Sequence, residues 1–212
     1  TITDSTGGVT FNANVDSTTF TIAQSLDAAV ITFTGDTVDI ATFNPNIGTG
    51  GAADTSSDAY SVTINSRAFN VTADTSFLNK GTVTLGNEAA DILTFIGGLD
   101  TTAAPSALNA AGTINTTGTG MDIRAVTLTQ DTTFDTGNAA AGILNIGAVT
   151  SGGNALTLDS GSTALATISL TSMVDASGGL TIRDAGGLAT IGDIGSATSG
   201  AGAVTITDSL SL

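Results

Sequence analysis

GILNIGAVTSGGNALTLDSG (142–161) and SGGLTIRDAGGLATIGDIGSATSGAGAVTITDS (177–209) are the stretches that decide the fold. In both, short aliphatic runs alternate with Thr, Asn or Ser and stop at Gly, Ser or Asp. Alternation with a period of two predicts half-buried strands, and the glycine punctuation predicts turns between them. Leu156, Leu180 and Val204 recur every 24 residues, with Ile168 and Ile191 offset by about half a period. A unit of about 20–24 residues carrying two or three short strands has the size of one solenoid rung.

The same runs continue outward, as VTFNANV (9–15), AVITFTG (29–35), YSVTINS (60–66), GTVTLG (81–86) and IRAVTLTQ (123–130). Val9 to Ile31 is 22 residues, Val62 to Val83 is 21 and Ile146 to Ile168 is 22. The step from Ile31 to Val62 is 31, which places an irregular insertion near 44–59. Val83 to Val126 is 43, close to two periods, and spans a second irregular segment near 98–112. Within it the Ala-rich part 102–111 holds Pro105, lacks an amphipathic face, and reads as a loop or one short turn. The expectation is a single all-β domain over 1–212, a parallel β-helix (β-solenoid) of about ten rungs. At roughly 4.8 Å per rung it would be a rod on the order of 50 Å long.

In Thr82-Val83-Thr84, Thr127-Leu128-Thr129, Thr32-Phe33-Thr34 and Thr205-Ile206-Thr207 the middle residue should face inward and both threonines outward. Gly and Asn at the corners should supply left-handed backbone. The competing architecture is two tandem immunoglobulin-like β-sandwiches joined near 101–112. Parallel pairing between strands about 22 residues apart separates the two.

Nineteen acidic residues oppose four basic ones, Arg67, Lys80, Arg124 and Arg183, for a net charge of −15. The cations are too scattered for a basic patch, so nucleic acid and anionic membrane surfaces would be repelled. All the acids but Glu88 are Asp, a turn residue, where a helical protein would carry Glu. The apolar share of 41% is enough to bury a core, although a thin one of mostly small aliphatic side chains. With no Cys and no His, disulfides and all Cys- or His-based metal sites are excluded. No run approaches the roughly 18–20 apolar residues of a membrane helix. Thr1-Ile2-Thr3-Asp4 has no signal-peptide character, so the sequence is expected to start mid-protein or after processing.

Little chemistry can be assembled from this inventory. Without His or Cys, a nucleophile would have only Lys80 as a base. Carboxylate pairs exist at Asp36/Asp39, Asp54/Asp58, Glu88/Asp91 and Asp131/Asp135, the residue type glycosidases use. Carbohydrate clefts also want aromatic platforms, and the chain has one Tyr and no Trp. The reading is that the protein is not an enzyme and requires no cofactor. Ca²⁺ is the cation that suits such carboxylates on irregular loops. The candidate metal ligands are Asp131, Asp135, Asp54 and Asp58, set against the plainer role of Asp as a turn cap. The Thr-x-Thr triplets fall at 1, 19, 32, 82, 127 and 205, too irregular in sequence for an ice-binding array.

The quoted stretches resemble the β-strand repeats of large bacterial adhesins, both haemagglutinin-like and autotransporter passengers. They also resemble the β-rich part of some S-layer proteins. The resemblance is a style of repeat, close over about the last 90 residues and looser before them. It implies a parallel β-helix, export to the bacterial cell surface, and a structural or adhesive role. The resulting expectation is a non-enzymatic structural protein that self-assembles into a fibre, sheath or layer by end-to-end or lateral contacts, its partner being another copy of itself. The alternative is an adhesin whose side loops, 44–59 and 98–112, bind surface glycans. TITDS occurs at both 1–5 and 205–209, which fits a window on a longer array.

Overall fold

The computed structural model describes residues 1–2, 7–22, 29–45, 59–103, 105–139, 141–195 and 200–207. Its strands in chain order are β1 (Val9–Phe11), β2 (Val15–Ile22), β3 (Val30–Phe33), β4 (Thr37–Pro45), β5 (Ser61–Ile64), β6 (Ala68–Val71), β7 (Thr75–Ser76), β8 (Thr82–Leu85), β9 (Ile92–Phe95) and β10 (Leu99–Asp100). They continue with β11 (Ala107–Asn115), β12 (Met121–Ile123), β13 (Val126–Asp135), β14 (Leu144–Thr150), β15 (Leu156–Asp159), β16 (Ile168–Val174), β17 (Leu180–Asp184), β18 (Ala189–Ile194) and β19 (Val204–Ile206). Every strand pairing is parallel and joins residues one coil apart, which is a β-solenoid and rules out the paired sandwiches.

Three faces wind around one core. Face A begins with β1, face B with the start of β2, and face C with the end of β2. The register on face B is an unbroken column: Val15, Val38, Phe69, Leu93, Ile114, Phe134, Leu158, Ile182 and Ile206. That is nine levels, one fewer than the ten rungs read from the sequence, and about seven full turns. At ~4.8 Å per level the column is about 40 Å long. Successive members lie 20–24 residues apart, except for the step of 31 from Val38 to Phe69, which contains residues 46–58.

One coil cannot bury its own apolar row, so each row is buried by the levels above and below. Alternate residues point in, as in β8, where Val83 and Leu85 are fully buried and Thr82 and Thr84 are not. Thr127-Leu128-Thr129 and Thr32-Phe33-Thr34 follow the same rule. Thr205-Ile206-Thr207 does not: Ile206 is 53% exposed, because β19 is the last described level and nothing described covers it. Backbone groups close between coils, for example Ser61 N–H to Ala29 C=O and Asn65 N–H to Phe33 C=O, both at 2.8 Å.

Two further expectations needed correction. The Ala-rich segment 102–111 is not a loop throughout: from Ala107 it is β11, and Leu108 lies directly over Val83. The double step from Val83 to Val126 therefore contains a rung. Asn does not supply left-handed corners: among the described residues the positive φ values belong to glycines and to Asp175, at 55°.

The core is not uniformly aliphatic either. Phe11, Phe20, Phe33, Phe43, Phe69, Phe77 and Phe95 form one contact chain with ring centroids 5.2–6.3 Å apart. From level five onward the large buried side chains are Leu, Ile, Val and Met, with Phe134 as an outlier. Phe69 is fully buried and meets the rings of Phe33, Phe43 and Phe95. Phe69→Ala should cost about 3–5 kcal/mol, whereas Phe11→Ala, on the half-covered first level, should cost clearly less. Urea unfolding of both variants checks this.

Candidate functional site

The most regular feature outside the core is the corner between faces B and C. Asp135, Asp159 and Asp184 stack there on successive levels, with Asn115 at the level before. Each of these three acids opens a short motif, Asp135-Thr136-Gly137, Asp159-Ser160-Gly161 and Asp184-Ala185-Gly186. The carboxylate accepts the glycine N–H two residues on, at 2.7 Å for Asp135 to Gly137 and 3.0 Å for Asp159 to Gly161. The middle hydroxyl turns inward and donates across the corner loop, Thr136 Oγ1 to Gly142 C=O at 2.8 Å and Ser160 Oγ to Ala166 C=O at 3.3 Å. Thr116 Oγ1 does the same one level earlier, to Thr119 C=O at 2.6 Å. Gly161 has φ of +76°, and a Cβ there would lie 2.4 Å from the Gly137 carbonyl oxygen, so this corner requires glycine.

Stacking puts like charges one level apart. The Asp159 carboxyl is raised above its ordinary value by burial first and by the Asp135 charge beside it. The Gly161 N–H and the Arg183 guanidinium pull the other way. Arg183 Nη1 sits 3.5 Å from Asp159 Oδ2, but its side chain is 54% exposed, so the pair contributes little.

The sequence-predicted ligands Asp131 and Asp135 both lie on β13. Asp131 accepts the Ala155 N–H of the next level at 2.8 Å, and Asp135 is engaged with Gly137. Four residues of extended chain put their Cα atoms up to about 13 Å apart. Asp54 and Asp58 lie outside the described residues. Among the described residues no three acidic side chains are grouped to hold a metal.

Glu88 and Asp91 share the corner between faces A and B but not a role. Asp91 is buried and caps its own turn, accepting the N–H groups of Asn87 and Glu88. Exposed Glu88 lines a shallow groove of about 400 Å³ with Asp36, Asn65 and Arg67. No aromatic residue lines it. Asp39 sits away from Asp36, on face B, in register with Asp16.

Sequence reading missed face A. Its outward column runs Thr10, Thr32, Thr63, Thr84, Asn109, Thr127, Thr150 and Val174, eight levels in register. The column beside it holds Val30, Ser61, Thr82, Ala107, Ala148 and Ser172, and its first charge is Asp193. Faces B and C instead carry outward acids, among them Asp16, Asp39 and Asp159 on B and Asp100 and Asp122 on C. In a chain of net −15, the two outward columns of face A are small-residued and free of carboxylates over eight levels.

No family model, curated protein or solved structure matches the chain.

The corner ladder yields a pH prediction. Folded Asp159 holds its proton over a pH window in which the unfolded chain has already lost it. Stability therefore falls as pH rises through that window, and the penalty is complete above it. Asp159→Asn keeps an oxygen for the Gly161 N–H and removes the stacked charge. It should melt at a higher temperature than wild type near neutral pH, with the gap closing below the ordinary carboxylate range. Thermal melts across pH check the sign.

Proposed function

We propose that this chain is a non-enzymatic structural element of a bacterial cell surface that self-assembles into a fibre, sheath or layer. The observation that carries the reading is the nine-level column on face B, whose inward row becomes half-exposed at its described ends. Ile191 and Ile194 are partly covered, and Val204 and Ile206 are each 53% exposed on the last level. Val9, Phe11 and Val15 are partly covered on the first. Such a row, with a parallel edge that no described residue pairs, fits another level of the same register, from more chain or from another copy.

The material suits the role. A stacked column transmits its geometry from level to level and gains core with every level added. The outward columns offer extended surfaces, and the repeats resemble those of bacterial surface proteins. Ca²⁺ enters as a cation that screens the acidic faces of neighbouring columns, since single-copy donors such as Asp131 and Asp135 stand apart.

Electron microscopy and small-angle scattering of the purified chain, with and without Ca²⁺, test this directly. The expected result is concentration-dependent assembly into filaments or sheets built of whole columns. A monodisperse monomer at high concentration, in both conditions, would overturn the proposal.

A further inference from the structure

Resting on the assembly reading, we infer that face A is the lateral contact, and that it receives face A of a second copy related by a two-fold axis parallel to the column.

The first argument is repulsion. Two columns of net charge −15 that meet through face B or face C bring stacked aspartates together in water-poor space, which is costly. Face A offers eight levels of Thr, Ser, Ala, Val and Asn without a carboxylate. These side chains are short, and Thr and Val are already restricted at χ1, so ordering them at an interface costs little entropy.

The second argument is charge complementarity at the borders of the face. Lys80 lies two residues before β8, and Glu88 three residues after it. Arg124 precedes β13, and Asp131 lies at the corner that ends its face-A segment. Among the described residues, the border with face C carries cations and the border with face B is mainly acidic, with Arg67 as its exception. A two-fold axis parallel to the column lays each border over the opposite border of the other copy at the same level. Lys80 then meets the partner's Glu88, and Arg124 meets the partner's Asp131, twice each by symmetry. The shallow groove beside Arg124, lined by Ala107, Thr127, Ala148 and Thr150, lies inside this footprint.

The third argument is area. Eight levels at ~4.8 Å by four residues at ~3.3 Å give roughly 500 Å² per copy, about 1,000 Å² in total. That reaches the lower limit for a specific interface and falls in the size class of weak or transient contacts.

Sedimentation velocity at rising protein concentration, at low and high salt, tests the inference, with circular dichroism confirming that each variant folds. Thr127→Glu should weaken association at least about tenfold, while Thr157→Glu, on face B, should leave it unchanged. Lys80→Glu should weaken it roughly three- to tenfold at low salt, and Lys80→Glu with Glu88→Lys should restore it. If Lys80→Glu fails to fold, Arg124→Glu with Asp131→Arg supplies the same cycle. Assembly that ignores Thr127→Glu and the charge swap, yet is lost when Val204 and Ile206 are made polar, overturns the lateral face and leaves the structural role standing. A wild-type chain that never associates overturns both.

Discussion

Each coil answers its neighbour's backbone hydrogen bonds in parallel register, and this fixes corresponding side chains one level apart along every face. Identical groups are thereby brought to roughly 4.8 Å from each other, again and again. Aliphatic and aromatic rows gain from that repetition, since each added level buries the one before. Threonine rows tolerate it because a hydroxyl can donate or accept. Carboxylates do not. Where they stack, at Asp135, Asp159 and Asp184, the chain holds at least the first two with glycine N–H groups in tight corners. The raised Asp159 carboxyl is the residual cost of stacking and partial burial.

That rule explains how much of the architecture was legible in the sequence. The period is visible because the face-B column returns every 20–24 residues with the same inward aliphatic character. Leu156, Leu180 and Val204, spaced by 24 in sequence, stand in one column. The corners were harder. Between Ala110 and Gly112 one strand uses two steps where its neighbour, from Leu128 to Thr132, uses four. The extra residues are fixed by the Thr129 and Thr132 hydroxyls, both donating to Ala110 C=O. Leu108 lies in a stretch whose Ala and Asn neighbours have weak strand preference. The register of Val83 imposes the strand there, a tertiary effect on a local sequence that is nearly neutral.

The candidate surfaces were less legible for the same reason. Thr32, Thr63, Thr84, Thr127 and Thr150 look irregularly spaced along the chain because corner lengths differ. Once the coils are registered they fall, with Asn109 between Thr84 and Thr127, in a single column. The phenylalanine chain is hidden likewise: Phe33, Phe43 and Phe69 belong to three different strands, and only the winding brings their rings together. Conversely, Asp131 and Asp135 seemed a pair because they are close in sequence, yet extended chain separates them and each has its own backbone donor.

Register also amplifies small biases. One threonine facing water says little; seven levels of Thr or Asn in a column, followed by Val174, define a surface. One aspartate solubilises a turn; an aspartate at the same place on successive levels defines a repulsive side. The column is therefore not an evenly charged rod. Among the described residues, faces B and C carry outward aspartates within their strands where face A first does so at Asp193, so electrostatic repulsion between parallel copies would depend on their rotation about the long axis. A fold that multiplies each face's character by its number of levels would give any neighbouring column a preferred direction of approach, even where no single residue would dictate one.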